Sequence, residues 1–500
     1  MSFTILYFFV FVAASLAAYF FCASKKYQWC VLLASSYAFY AFAGWDLLAY
    51  ILFTTGTVFR CALWLDKANS LTDGDKQNQT LPWYLKISKN RIIILVVAGN
   101  LGIFAFLKLI AAPYYFLVPE YSLLLPLGIS FYTFQAIGYL IDVYRGKLKP
   151  ERNFARFALF LSFFPQLIQG PVSRHSELAG QLYASRKFDH AEARRGFQLI
   201  IWGLFKKLVV ADRLAVITDI IFSQTEKYFG LYILIGAIAF TIRLYADFSG
   251  TLDAARGVAQ MFGIKLPADF QRPFFATSLS GYWRRWHITI NNWWRDYLFR
   301  PLVGFTRGRI SAGLYVIGIC VCICVVRVAN GMWYGFGTNY IAFGLYHGAL
   351  ITISMAYAPI ISKVTRILRV NTDCFSWKLF QRARTFLLVC LGWVFVAAES
   401  ATRGFAELAS IVNDLNPWIL NYDEIFLVGR AGRDAVGWTS HDARIMIFSV
   451  SLLLVVDIMQ EKGISIRETL ERQNMVFRWL VLLGGIFAVF SLSRHGIIAV

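Results

Sequence analysis

Apolar runs of about 15–25 residues alternate with short charged segments along most of the chain. A helix needs about 20 apolar residues to cross the hydrocarbon core of a bilayer. The pattern therefore predicts an all-α, polytopic membrane protein with about 11–12 transmembrane helices. The candidate spans are 1–22, 29–43, 46–65, 92–112, 122–141, 197–221, 231–248, 312–329, 340–361, 385–400, 444–459 and 478–493.

One further apolar segment, 154–170, is interrupted by Pro165 and Gly170 and followed by Pro171. Such a break is typical of a re-entrant or in-plane helix, so we predict that this segment does not cross the membrane. The loops rich in lysine and arginine then all fall on one side, which the positive-inside rule identifies as the cytoplasm. Loop 249–311 is therefore predicted to be cytoplasmic, and loop 401–443 external with an amphipathic segment at 404–415.

The segments form one predicted integral-membrane domain, 1–500, because no soluble domain or internal repeat separates them. Within it we distinguish N-terminal spans (1–119), a central core (120–361) and C-terminal spans (362–500). Composition agrees with this class, since 58% of the residues are hydrophobic and only 16% are charged, against about 25% charged in soluble domains. The net charge of +20 is dispersed over short loops, which favours a membrane protein over a nucleic-acid-binding protein.

The stretch 281–309, GYWRRWHITINNWWRDYLFRPLVGFTRGR, holds six arginines against a single acid, Asp296. Its tryptophans follow helical spacing, which would place His287 on one face of a continuous helix. One interpretation is an interfacial amphipathic helix with tryptophans at the headgroups and arginines outward. The other is a basic platform for an anionic substrate such as the phosphates of coenzyme A. The candidate donor-binding residues are Arg284, Arg285, Trp286, Asn291, Arg295 and Asp296.

His347 lies seven residues into the apolar run 340–361, roughly 10 Å below one membrane surface. An ionisable residue at that depth is a functional-site candidate. One alternative is a neutral imidazole bonded to a neighbouring helix. Another is a proton relay in a transporter or channel, against which the absence of a repeat between the two halves argues. The cysteines Cys320, Cys322 and Cys324 cannot share a helix face, and no bound metal or tightly bound cofactor is predicted.

Several stretches resemble one family of membrane enzymes. They are LPLGISFYTFQAIGYLIDVYRG (125–146), FFPQLIQGPVSR (163–174), YADFSG (245–250), MFGIKLPADFQRPF (261–274), YWRRWHITINNWWRDYLFRPLVG (282–304) and YIAFGLYHG (340–348). The chain resembles the membrane-bound O-acyltransferase (MBOAT) superfamily, in particular its bacterial proteins of alginate O-acetylation and of D-alanyl-teichoic-acid transfer. It resembles the alginate O-acetylation type more than the D-alanyl transfer type. The resemblance implies a fold with a central funnel, a catalytic histidine at His347, and His287 in the same funnel.

The resemblance also implies the chemistry. An acyl thioester, most simply acetyl-CoA acting as a substrate, arrives from the cytoplasm at the bacterial inner membrane. The acyl group then leaves on a hydroxyl of an exported polysaccharide, with a periplasmic or membrane-anchored acceptor protein as partner. His347 is expected to act as general base and His287 to orient the thioester or stabilise the oxyanion. The alternative is D-alanyl transfer from a carrier-protein thioester to teichoic acid. This chain departs from relatives at Tyr334, where they often have histidine, and at Thr251 and Leu252.

Overall fold

The computed structural model describes residues 6–22, 24–45, 47–70, 88–117, 128–167, 169–306, 312–416 and 440–493. These residues form helices joined by turns, and none of them belongs to a strand, which confirms the all-α prediction. Arg307, Arg309 and most of the predicted external loop (417–439) lie outside the described residues. The chain divides into two compact units, one of residues 1–200 with 254–267 and the other of residues 201–253 with 268–500.

The first unit contains the N-terminal helices. They are α1 (Leu6–Ala17, continued by a π-helical turn at Ala18–Cys22), α2 (Gln28–Ala43), α3 (Leu48–Ser70), α4 (Lys89–Leu117), α5 (Ile129–Tyr144), α6 (Phe154–Ser162), α7 (Phe164–Leu167), α8 (His175–Tyr183) and α9 (His190–Leu204, which continues past the unit boundary). The segment 154–170 is thus split at Phe163 into two short, buried helices. Neither is long enough to cross a bilayer, as the proline and glycine positions predicted.

The second unit contains the helices that build the candidate site. They are α10 (Asp212–Ser223), α11 (Leu231–Met261, whose last residues belong to the first unit), α12 (Leu279–Trp283), α13 (Ile288–Trp294), α14 (Arg300–Thr306), α15 (Ala312–Tyr334), α16 (Thr338–Ile367), α17 (Phe375–Ala397), α18 (Ala401–Asn413), α19 (Ser440–Glu461), α20 (Ile466–Glu471) and α21 (Met475–Leu492). Helix α18 coincides with the amphipathic pattern at 404–415.

Seven helices among the described residues are long and apolar enough to cross a membrane. They are Leu48–Ser70, Lys89–Leu109, Leu231–Met261, Leu314–Tyr334, Thr338–Ile367, Phe375–Ala397 and Met475–Leu492. The other predicted spans form helices that are shorter, broken or more polar. The run 122–141, for example, is helical only from Ile129, and that helix has 16 residues.

The predicted span 197–221 is not one continuous α-helix, because the π-helical segment Phe205–Ala211 separates α9 from α10. Two lysines in that segment form ion pairs with carboxylates of α11. Lys206 Nζ lies 2.7 Å from Asp253 Oδ2, and Lys207 Nζ lies 2.7 Å from Asp247 Oδ1. π-Helical turns are frequent at functional sites, and apolar periodicity alone does not reveal them.

Candidate functional site

His347 lies on α16 with no exposed surface. Neither ring nitrogen has a hydrogen-bond partner among the described residues. Its neighbours are aromatic: the Trp283 ring lies edge-on at 5.0 Å and the Phe343 ring at 4.8 Å between centroids. The structure therefore shows no hydrogen bond of the kind that the alternative interpretation, a neutral imidazole bonded to a neighbouring helix, requires. A buried polar group without partners is costly, so an imidazole at this position needs an explanation.

Three glycines shape the surroundings of His347. A Cβ atom at Gly344 would lie 2.5 Å from Val328 Cα, and one at Gly348 would lie 3.0 Å from Cys324 Cα, so both let α16 pack against the backbone of α15. Small residues four apart commonly serve this purpose between membrane helices. The third, Gly392 on α17, faces the imidazole itself, because a Cβ there would lie 2.4 Å from Nε2.

His287 occupies the turn between α12 and α13 rather than the interior of a helix. Its φ angle is 43°, in the left-handed region that non-glycine residues rarely adopt. The prediction of one continuous helix through 283–297 is therefore wrong. The interfacial interpretation also fails, because Trp283, Trp286 and Trp293 are buried within the protein and do not lie outward. Their spacing reflects packing in a core.

A carboxylate holds His287 in place. Asp269 Oδ2 lies 2.8 Å from His287 Nδ1, and both side chains are almost fully buried. The other carboxylate oxygen accepts a hydrogen bond from the Thr289 amide at 2.6 Å, and the Asp269 carbonyl accepts one from the Ile288 amide. A carboxylate facing Nδ1 favours the tautomer with its proton on Nδ1, which leaves Nε2 as an acceptor. No described residue bonds to that Nε2.

Asp269 was not predicted as a site residue. The sequence contains no histidine–aspartate spacing of the soluble acyltransferase type, and the two residues are 18 positions apart. They meet because the segment before α12 turns back, fixed by a hydrogen bond from the Gln271 amide to the Arg285 carbonyl at 2.9 Å. The available signal was a lone acid between apolar residues in LPADFQRPF.

An aromatic layer lies between the two histidines. The Tyr334 ring is 6.3 Å from the His287 ring and 5.9 Å from the Phe343 ring, which in turn contacts His347. Tyr334 Oη accepts a hydrogen bond from Trp286 Nε1 at 3.1 Å. Tyr334 is therefore part of this layer.

The predicted donor-binding residues have different surroundings. Arg284 is exposed and forms no ion pair with a described residue. Arg285 donates to both oxygens of Glu461, at 3.1 and 3.0 Å. Arg295 pairs with its neighbour, the buried Asp296, at 2.9 Å. Arg284 is thus the member of this set whose guanidinium is not already occupied by a carboxylate.

The remaining two candidates are structural links within the site. The Asn291 side-chain amide donates to the carbonyls of Trp286 and His287, at 2.7 and 3.0 Å. Its oxygen accepts a hydrogen bond from Arg327 Nη1 at 3.2 Å. Trp286 is fully buried and stacks on Tyr282 with 5.4 Å between ring centroids. Both residues hold the turn that presents His287.

Comparison with known proteins agrees with the arrangement. The model of the membrane-bound O-acyltransferase (MBOAT) family matches residues 151–391, a range that includes both histidines and Asp269. The chain is 33% identical over 401 residues to a probable alginate O-acetylase of Pseudomonas syringae, which covers 78% of this chain and 71% of that protein. The chain belongs to the membrane-bound O-acyltransferase family. It is therefore a multi-pass membrane protein and an O-acyltransferase.

Other family members are also similar to this chain. A peptidoglycan O-acetyltransferase of Helicobacter pylori is 31% identical over 316 residues, covering 58% of this chain and 57% of that protein. A teichoic acid D-alanyltransferase of Bacillus subtilis is 29% identical over 240 residues, covering 47% of this chain and 60% of that protein. The similarity to the alginate proteins extends over more of the chain, as the sequence motifs indicated.

Proposed function

We propose that this O-acyltransferase moves an acetyl group from acetyl-CoA to a hydroxyl of an exported polysaccharide, through a periplasmic or membrane-anchored acceptor protein at the bacterial inner membrane. The observation that carries the proposal is the buried His347 imidazole, whose two nitrogens have no partner among the described residues. Both atoms thus keep hydrogen-bonding capacity that no described residue uses. The names of the similar proteins, which include alginate O-acetylases and a peptidoglycan O-acetyltransferase, support acetyl as the acyl group and a polysaccharide as its destination.

In the proposed reaction His347 takes the proton of the acceptor hydroxyl while the hydroxyl oxygen attacks the thioester carbonyl. The π electron pair moves onto the carbonyl oxygen and forms a tetrahedral oxyanion. When the oxyanion collapses, the carbon–sulfur bond breaks and the departing thiolate takes the proton from His347. General-base catalysis of this kind contributes about 10²–10⁴-fold to the rate.

His287 serves the donor side of this reaction. With Nδ1 directed at Asp269, its Nε2 accepts a hydrogen bond and orients the acyl thioester. Stabilisation of the oxyanion, the other predicted role, would need a proton on Nε2. Arg284, which is exposed and free of carboxylate partners among the described residues, is proposed to bind the donor's phosphates.

The test is acetyl transfer from labelled acetyl-CoA by the purified full-length protein, followed by acetylation of the polysaccharide in cells. His347→Gln should lose at least about 10²-fold in transfer rate, whereas the matched change His441→Gln, at an exposed position, should not. Equal activity of the wild-type and His347→Gln proteins would contradict the catalytic assignment. Transfer from a D-alanyl carrier-protein thioester but not from acetyl-CoA would instead support D-alanylation.

A further inference from the structure

Arg327 carries a positive charge on α15, one of the candidate membrane spans. Among the described residues no carboxylate forms an ion pair with it, in contrast to Arg243 on α11, which pairs with Asp219. A cation within a membrane helix is expensive unless an anion or a cavity compensates it. The guanidinium has five N–H donors, and its one hydrogen bond to a described residue goes to Asn291 Oδ1.

Arg327 is connected to both histidines through shared neighbours, Trp283 and Asn291. The Arg327 guanidinium lies over the Trp283 ring, 4.6 Å from its centroid, and the same indole packs against the His347 imidazole. The backbones of Arg327 and Gly344 are also close, because a Cβ added at Gly344 would lie 2.6 Å from the Arg327 carbonyl oxygen. Gly344 lies one turn before His347. Asn291 accepts a hydrogen bond from the guanidinium and donates one to the carbonyl of His287, so it connects the two.

We propose that Arg327 is a catalytic residue that binds the oxyanion of the tetrahedral intermediate. This inference rests on the proposed function, because it needs an acyl thioester at His347. In this role, guanidinium N–H groups that Asn291 does not use donate to the carbonyl oxygen as it becomes negatively charged during attack by the hydroxyl. In the resting enzyme Arg327 is a cation held by an indole face and one amide oxygen. In the intermediate the oxyanion supplies the missing negative charge.

This arrangement has a physical advantage over a neutral donor. An oxyanion-binding group is most effective when it is already oriented and surrounded by little water. Trp283 and Asn291 orient the guanidinium before substrate arrives, so no reorganisation is needed during the reaction. A carboxylate partner would cancel the effect, because it would compete with the oxyanion for the same N–H groups.

The test compares two coenzyme A analogues on the full-length protein. In the first, a methylphosphonate replaces the acetyl group and supplies a tetrahedral anion. In the second, S-ethyl-CoA, a methylene replaces the carbonyl and supplies no charge. The wild-type protein should prefer the anionic analogue. Arg327→Gln should lose on the order of 10²–10³-fold in kcat and in affinity for the anionic analogue, while its KM for acetyl-CoA and its affinity for S-ethyl-CoA should change only a few-fold.

Arg243→Gln is the matched control, because it removes an arginine from a membrane helix without touching His347, Trp283 or Asn291; it should retain the preference for the anionic analogue. If Arg327→Gln fails to fold, Arg327→Lys keeps a charge but loses the guanidinium geometry, and it should bind S-ethyl-CoA normally with kcat at least about tenfold lower. Undiminished kcat in the folded variant, or equal losses for both analogues, would overturn the role of Arg327. Failure of the wild-type protein to transfer from any acyl thioester would overturn the proposed function instead.

Discussion

The Nδ1 atom of His287 lies 2.8 Å from Oδ2 of Asp269, and this contact fixes the orientation of the imidazole. The carboxylate is itself held by the Thr289 amide, which donates to Oδ1 at 2.6 Å. The ring therefore cannot exchange its two nitrogens without losing a buried hydrogen bond. Carboxylates in hydrolases orient catalytic histidines in the same way, through the tautomer they select.

Asp269→Asn should reduce transfer by on the order of 10²–10⁴-fold while leaving the fold intact. The asparagine oxygen can still accept from the Thr289 amide, but its NH₂ group then faces Nδ1. That arrangement favours the tautomer with the proton on Nε2, so the atom presented to substrate becomes a donor. The measurement is the single-turnover rate with labelled acetyl-CoA, together with the melting temperature in detergent.

The control for this change is Asp219→Asn, which removes a carboxylate that pairs with Arg243 and has a side chain 67% exposed. It should have little effect on the rate. If Asp269→Asn transfers acetyl at the wild-type rate, Asp269 has only a structural role. If it melts far below the wild-type protein, the loss of rate says nothing about the tautomer, and Asp269→Glu becomes the informative variant.

The two histidines were predictable from the sequence for different reasons. His347 is an ionisable residue in an apolar run, and this signal is local because it does not depend on how the neighbouring helices pack. His287 was singled out by the resemblance and by its basic surroundings. Asp269 was missed because its pairing depends on a turn that brings together residues 18 positions apart. Arg327 was missed because a single charge in the apolar run 312–329 was interpreted as part of a span.

The geometry around His287 was predicted incorrectly because tryptophan spacing resembles helical periodicity. The structure instead has two short helices, α12 and α13, with His287 in the left-handed conformation between them. Periodicity cannot distinguish one long helix from two short ones whose tryptophans pack into the same core. The strained turn is what directs the histidine at Asp269.

Gly392→Ala should impair catalysis by displacing His347. The added Cβ would lie 2.4 Å from Nε2 and 3.0 Å from Cε1 of the imidazole, so the ring must move. Misplacing a catalytic group by about 1 Å can cost on the order of 10²-fold in rate. We expect kcat to fall by at least tenfold, with KM for acetyl-CoA nearly unchanged, in steady-state assays.

Two other helical glycines provide controls for this substitution. Gly56 on α3 and Gly99 on α4 have open space where a Cβ would be added. Alanine there should be neutral or slightly stabilising, since glycine is the weaker helix former by about 1 kcal/mol. A Gly392→Ala protein that retains the wild-type kcat would mean that the imidazole tolerates displacement, and this would weaken its assignment as general base.

Arg284 and Arg285 should respond differently to alanine. Arg284→Ala removes an exposed cation without a carboxylate partner among the described residues, so it should raise KM for acetyl-CoA several-fold and leave stability unchanged. Arg285→Ala breaks the contact with Glu461, which also pairs with Arg272 at 2.8 Å. It should lower the melting temperature instead, because a carboxylate loses one of its two partners.

The measurements are steady-state kinetics with acetyl-CoA and with a shorter thioester that lacks the nucleotide phosphates. For Arg284→Ala the rise in KM should appear with acetyl-CoA and be absent with the short thioester. An equal rise in KM with both donors would show that Arg284 does not contact the phosphates. Stability of Arg285→Ala equal to that of the wild-type protein would contradict a structural role for the Glu461 contact.

The contribution of Glu407, on α18, to the free energy of unfolding should decrease as pH rises. Its side chain is buried, and neither carboxylate oxygen has a hydrogen-bond partner among the described residues, since Arg403 Nε is 3.9 Å away. Burial raises the pKa of this carboxyl from 4.5 to about 7, although Arg403 opposes the change. The folded protein therefore keeps the proton over a range in which the unfolded chain has lost it.

The sign of the effect follows from proton linkage. Below about pH 4.5 both states are protonated and Glu407 has no influence. Between that pH and about 7 the folded state binds more protons, so the free energy of unfolding decreases as pH rises and then levels off. The pKa difference corresponds to roughly 3 kcal/mol.

Glu407→Gln, which stays neutral, should remove this pH dependence and raise the melting temperature at pH 8. The control, Glu226→Gln at an exposed position, should do neither. Parallel melting curves of wild-type and Glu407→Gln protein between pH 5 and 8 would show that the carboxyl finds a partner and is ionised in the folded state.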